Sequence, residues 1–325
     1  MKGLIKGIAT LFIVTMVITA IPEGSAGYLG PIKDVFSEFR SDISITTKEK
    51  LGMPTGAEAT IIEKANKKGI ATEATSLLSD LFSVKGKGTP ITDFSYSVKF
   101  DNDVEKELAN GLLEGREVIS VPRNEYTETQ LEYMLQKSVY QNPLVLYVDR
   151  YYFANNTYFI TYKEEQSKAM EEKQLAAVEE AKRIAYSNLT QEMSDKEKAA
   201  VIGEILYAAI QYDDAAADDF TNNNYTFSVE YADSQNVYGA LVNKKAVCSG
   251  FAKSFKLIAD SVGLDTRLVI GTHRGVPHIW NMVQIDGAWH YIDATNNVNE
   301  MYAKSTYKAR FGRDFNEDYI VNEVY

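Results

Sequence analysis

The chain has one cysteine, three histidines and two tryptophans in 325 residues. A single cysteine excludes an internal disulfide. It also excludes an iron–sulfur cluster or a multi-cysteine zinc site built by one chain. With only His273, His278 and His290 available and no His-Glu-x-x-His run, a metal-dependent hydrolase has little to stand on. Basic residues are outnumbered, with 34 Lys plus Arg against 45 Asp plus Glu and a net charge of −11. That balance argues against phosphate-backbone binding and against anionic membrane surfaces. Long apolar runs are also missing. The one candidate, Ile8 to Ile21, is 14 residues, short of the roughly 20 that span a bilayer. The 45% hydrophobic and 24% charged content is that of a globular protein.

Lys2 and Lys6 precede that run, Pro22 and Glu23 end it, and Gly24-Ser25-Ala26 supplies small residues. This is the layout of a secretory signal peptide cleaved after Ala26, with an uncleaved N-terminal anchor as the alternative. The expected location is therefore outside the cell, with no integral membrane domain in the mature chain and with cell-wall or surface association open.

Four regions follow from composition. Residues 1–26 are the signal peptide, and 27–90 a Lys/Thr/Gly-rich segment closing on the linker Lys85–Pro90. Residues 91–165 are an accessory region and 166–325 the main domain. Thr127 with Gln130 and Ser194 with Glu197 are capping boxes that open helices. Asn155-Asn156 between Leu144–Phe153 and Tyr158–Tyr162 predicts a β-hairpin. Residues 164–187 predict a long helix with Met170, Leu175, Val178 and Ile184 inward. Asp213–Asp219 reads as a solvated acidic loop; it lacks the alternating oxygens and turn glycine of a calcium loop.

The informative stretch is Asn236–Asn297. Cys248 opens a helix whose Phe251, Phe255, Ile258 and Val262 recur on one face, and Gly263 ends it. A thiol in a first helical turn meets the positive end of the helix dipole, which favours thiolate. A lone cysteine is also commonly just a small buried hydrophobe. Downstream, Asp286-Gly287 joins two alternating apolar runs, a strong hairpin signal. A two-residue turn pairs Gln284 with Trp289, Trp280 with Asp293 and His278 with Thr295. His278, Trp280 and Asp293 then share one sheet face, with His278 and Asp293 diagonal neighbours about 7–8 Å apart. An imidazole held by a carboxylate on one nitrogen and facing a thiol on the other is the arrangement for nucleophilic catalysis. His273 reads as a solvent-facing loop residue and His290 as structural, on the opposite face. Trp280 and Trp289 read as core aromatics, and Trp280 can also shield the ion pair from water.

Tyr238-Gly-Ala-Leu241, Ala246-Val-Cys248-Ser-Gly-Phe-Ala252, His278-Ile-Trp280-Asn281 and Trp289-His-Tyr-Ile-Asp293-Ala-Thr295 together resemble the transglutaminase-like superfamily of cysteine acyl-transfer enzymes. The ordered spacing also resembles it: 30 residues from Cys to His and 15 from His to Asp. Residues upstream are loosely similar to the accessory regions of secreted bacterial members. The resemblance implies an α+β, papain-like core, a Cys-bearing helix packed on an antiparallel sheet, with an N-terminal accessory α/β region. It implies Cys248 as nucleophile, His278 as general base and acid, and Asp293 as orienting carboxylate, over a core of about 212–297. It implies a protein or peptide substrate and no cofactor or metal. Two positions depart from it. Asn296 stands where many members carry an aromatic, and no tryptophan lies upstream of Cys248 to serve as an oxyanion donor. Tyr238 is the candidate substitute. A non-catalytic surface or adhesion module on the same fold is the competing reading.

Overall fold

The computed structural model describes Ala9–Thr10 and residues 88–122, 126–163, 170–223, 226–301 and 315–325. The signal-peptide run, apart from that dipeptide, and most of 27–90 lie outside the described residues.

Elements follow in chain order. Strand β1 is Ala9–Thr10. Helix α1 (Asp103–Leu113) is capped by the Asn102 side chain on Glu105 N–H, and leads to β2 (Val118–Ser120). Helix α2 (Glu128–Gln141) opens on the Thr127/Gln130 capping box. β3 (Val148–Ala154) and β4 (Thr157–Tyr162) form the expected hairpin. Its turn residues Asn155 and Asn156 have φ of 50° and 58°, as a type I′ turn requires. The sheet order is β1-β3-β4-β2.

Helix α3 (Met170–Asn188) buries Met170, Ala177, Ala181, Ile184 and Ala185. The expectation for Leu175 fails: it is exposed, because the small Ala177 and Ala181 take the contact face instead. Helix α4 (Asp195–Ala209) starts on the Ser194/Glu197 capping box. Next come β5 (Gln211–Tyr212) and α5 (Asp214–Asn222). The acidic run is therefore helical and not a solvated loop. Asp213 is buried as its N-cap, accepting from Ala216 N–H and Ser234 Oγ and pairing with Lys245.

A 3₁₀ turn (Val229–Gln235), α6 (Val237–Leu241) and β6 (Lys245–Ala246) lead into α7 (Cys248–Ser261). Then come β7 (Thr266–His273), β8 (Val276–Ile285), β9 (Ala288–Asp293), β10 (Val298–Asn299), α8 (Phe315–Asp318) and β11 (Tyr319–Val324). The main sheet is antiparallel, ordered β10-β9-β8-β7-β11. The fold is thus α+β with a Cys-bearing helix on an antiparallel sheet.

Phe251, Phe255 and Ile258 of α7 join Val283, Ile285 and Ile292 of the sheet in the largest core. A second core links Cys248, Ala252, Leu268 and Ile279 with Leu131, Leu135, Val145 and Val148. Residues upstream of α3 therefore pack directly on the cysteine helix. Linker residues are pinned too, since Thr89 N–H donates to Glu192 and Ile91 N–H to the Leu189 carbonyl.

Candidate active site

Asp286 and Gly287 have φ of 51° and 78°, so the turn between β8 and β9 is the two-residue type I′ form. Gln284 pairs with Trp289 as the residue pattern requires, and the register holds to Asn281–Ile292. It stops there. The chain turns through 294–297, where Asn297 has φ 51°, and Asp293 pairs instead with Val298 of β10. The expected Trp280–Asp293 and His278–Thr295 backbone pairs do not form, but the shared face survives. His278 Nε2 lies 2.7 Å from Asp293 Oδ2.

Asp293 is 1% exposed and accepts from every side. Oδ2 takes His278, the Tyr319 hydroxyl at 2.7 Å and the Asn296 amide at 2.7 Å. Oδ1 takes the backbone N–H groups of Thr295 at 2.9 Å and Asn296 at 3.3 Å. Burial opposes the charged carboxylate, but the His278 charge and these donors overcome it and hold the group well below the usual carboxylate range. Burial likewise opposes a charged His278. The charge and hydrogen bond of Asp293, joined by a hydrogen bond and charge from Cys248, raise it to about 10.

Cys248 is 8% exposed at the start of α7. Val247 precedes it with no capping side chain, so no side chain competes for the first N–H groups of the helix. The indole of Trp280 stacks on His278, centroids 5.9 Å apart and planes 17° apart. It is 1% exposed and lies over one face of the His278 ring. Trp289 is not a core residue: it is half-buried on the sheet surface, with the Arg267 guanidinium 4.5 Å above its ring.

Tyr238 lies elsewhere. Its N–H donates to Asn236 Oδ1 at 2.9 Å, and its ring faces the Lys173 ammonium at 4.8 Å, beside the Tyr147–Asp233 hydrogen bond. Tyr212 comes closer to the cysteine helix. β5 pairs parallel with β6, Tyr212 opposite Ala246, two residues before Cys248. Burial, then the charges of Cys248, Asp214, Asp293 and Asp213, push the Tyr212 phenol well above its ordinary value. It remains a donor.

His273 is not a solvent-facing loop residue. It ends β7, stacks on Tyr319 with centroids 4.4 Å apart, sits 5.7 Å from the His278 ring, and has the Asn296 amide 3.4 Å from Nδ1. Burial and the His278 charge lower it to about 4. Asn296, the departure from the family pattern, proves to be a ligand of the carboxylate. His290 is half-buried on the face opposite Asp293, as expected.

Residues 183–294 match the model of the transglutaminase-like superfamily. This segment belongs to that superfamily. The transglutaminase-like core thus contains Cys248, His278 and Asp293, while Asn296 and Tyr319 reach the same carboxylate from beyond its end. A crystal structure of a TGase aligns at 20% identity and TM-score 0.35, over 61% of this chain and 49% of that one. A proposed cysteine protease of Cytophaga hutchinsonii aligns at 16% identity and TM-score 0.28, over 48% of this chain and 42% of that one. The match spans less than half the length of each of these two solved structures. No match is found among curated proteins. Among the described residues no helix is long and apolar enough to cross a membrane.

Proposed function

We propose that this protein is an exported, cysteine-dependent acyl-transfer enzyme acting on peptide or protein amides through Cys248, His278 and Asp293. The observation that carries the reading is the buried His278–Asp293 contact of 2.7 Å, with Cys248 near enough to the same imidazole to help raise its pKa. The superfamily match supports a cysteine-dependent enzyme.

In this reading the Cys248 thiolate attacks the amide carbon, forming the C–S bond. The Cys248 N–H and the Tyr212 hydroxyl meet the developing oxyanion. His278 gives its proton to the departing amine as the C–N bond breaks, leaving a thioester. Neutral His278 then takes a proton from the acceptor, whose oxygen or nitrogen bonds to the acyl carbon as the C–S bond breaks, and the thiolate–imidazolium pair returns. Asp293 holds the imidazole orientation and balances its charge throughout. Water as acceptor makes a peptidase or amidase, and a lysine amine makes a cross-linking enzyme. Hydrolysis is favoured over cross-linking because water is the abundant acceptor. Export rests on the residue pattern of 1–26, and cleavage after Ala26 would remove β1 from the edge of β3. Association with the cell wall or surface belongs to the same proposal.

The test is iodoacetamide labelling followed by intact mass at pH 4–9 on wild type, Cys248→Ala and His278→Ala, then a screen of peptide amides with and without amine acceptors. Rapid labelling near neutral pH that slows in His278→Ala supports the reading. Slow, equal labelling in wild type and His278→Ala would replace it with a non-catalytic surface module on this fold.

A further inference from the structure

Three groups around the site have no part in the mechanism above: Tyr319, His273 and Asn296. Tyr319 arrives 26 residues after Asp293, from an edge strand outside the matched segment 183–294. We propose that Tyr319 is a positioning residue whose hydroxyl fixes the Asp293 carboxylate on which His278 is oriented. The inference rests on the catalytic reading above.

The geometry is over-determined. Tyr319 pairs with His273 across β11 and β7. The preceding residue is tied to the same turn by Arg274 N–H on the Asp318 carbonyl at 2.7 Å and Arg274 Nε on Asp318 Oδ2 at 3.0 Å. The ring is held between two others, stacked on His273 at 4.4 Å and edge-on to Trp280 at 5.2 Å. Backbone pairing and ring contacts together leave the hydroxyl aimed at Oδ2, 2.7 Å away, in a residue 3% exposed.

A purely space-filling role competes, because Tyr319 also belongs to a small apolar cluster with Val269, Trp280 and Val298. That role needs a ring and no hydroxyl, since a buried hydroxyl costs free energy unless it is bonded. Here the bond goes to the same oxygen that His278 uses. Oδ1 is already held by the backbone of Thr295 and Asn296. Tyr319 and the Asn296 side chain therefore fix the second oxygen, and with it the direction of the lone pair that meets His278 Nε2.

Tyr319→Phe keeps both ring contacts and deletes only the donor. Two readouts need no known substrate: the ring-carbon NMR titration of His278, and the iodoacetamide labelling rate of Cys248 at pH 7. In Tyr319→Phe we expect the His278 midpoint to fall by about one pH unit and labelling to slow about tenfold, the scale of one hydrogen bond to a charged group. In an Asp293→Ala background the same substitution should change neither, because the residue acts through that carboxylate. A Phe variant indistinguishable from wild type, or one whose effect persists without Asp293, would overturn the proposal. So would a Phe variant that no longer melts cooperatively, since the hydroxyl would then serve stability. If wild type and His278→Ala label equally slowly, the catalytic reading fails by itself, and the NMR midpoint still decides whether Tyr319 controls the His278–Asp293 pair.

Discussion

His278 and Asp293 are separated by 15 residues of chain and joined by a 2.7 Å contact from Nε2 to Oδ2. That contact makes a titration prediction that the three-histidine content keeps simple. His278 should titrate near 10 and His273 near 4 in histidine NMR spectra. A raised histidine stabilises the fold fully below its unfolded value of about 6.5 and loses that contribution as pH climbs through its folded value. Denaturant melts of the wild type should therefore weaken between about pH 6.5 and 10. A His278 midpoint close to the unfolded value would remove the imidazolium from the mechanism.

His273 predicts the opposite slope. Its folded value is lowered to about 4, so the unfolded chain binds the proton first as the medium is acidified. Stability is complete above about 6.5 and is lost as pH falls toward 4. His273→Gln removes this titration and should flatten that part of the stability profile. An unchanged slope in the Gln variant would assign the loss to other groups.

Tyr212 stands beside Ala246 through the β5–β6 pairing, and its protonated phenol is the side-chain donor proposed for the oxyanion. Once a substrate is found, Tyr212→Phe should lower kcat on the order of 10²-fold with little change in KM, as loss of one such donor does. The labelling rate of Cys248 should hardly move, because alkylation builds no oxyanion. A variant with unchanged kcat would leave the helix N–H groups as the whole of that stabilisation.

Gly271 faces His278 across β7 and β8. A Cβ there would collide with the Ile320 carbonyl oxygen and lie 2.7 Å from Trp280 Cη2. Gly271→Ala should destabilise the protein by roughly 1–3 kcal/mol, the scale of overpacking in a filled site. It should also loosen Trp280 against His278. Urea melts give the first effect and tryptophan fluorescence the second; a variant as stable as wild type would mean that β11 shifts aside easily.

Much of this protein is decided locally. The two capping boxes need only residues three apart, and both start helices where expected. Asp286-Gly287 fixes the turn because both positions require positive φ, and a two-residue turn leaves one register. From that register the shared face of His278 and Asp293 follows by alternation. Cys248 at the head of α7 is equally local, announced by the apolar stripe behind it and by Gly263 at φ 90°. Leu175 and the acidic run after Tyr212 depart from expectation for two separate reasons. Helical periodicity does not say which stripe meets a neighbour, and an acidic cluster does not show that its first member caps a helix.

What the tertiary structure decided is everything that reaches the site from a distance. Tyr212 comes from a two-residue strand paired 34 residues downstream, and Tyr319 from the far edge of the sheet. His273 is placed by the stacking that Tyr319 provides. None has a local signature, because a tyrosine or histidine in a short apolar run looks the same whether it fills a core or faces a carboxylate. Chain pattern determines periodicity and turn geometry, which are short-range. Which distant side chains surround one buried charge depends on sheet order and edge pairing, and these are fixed only when the whole chain has packed.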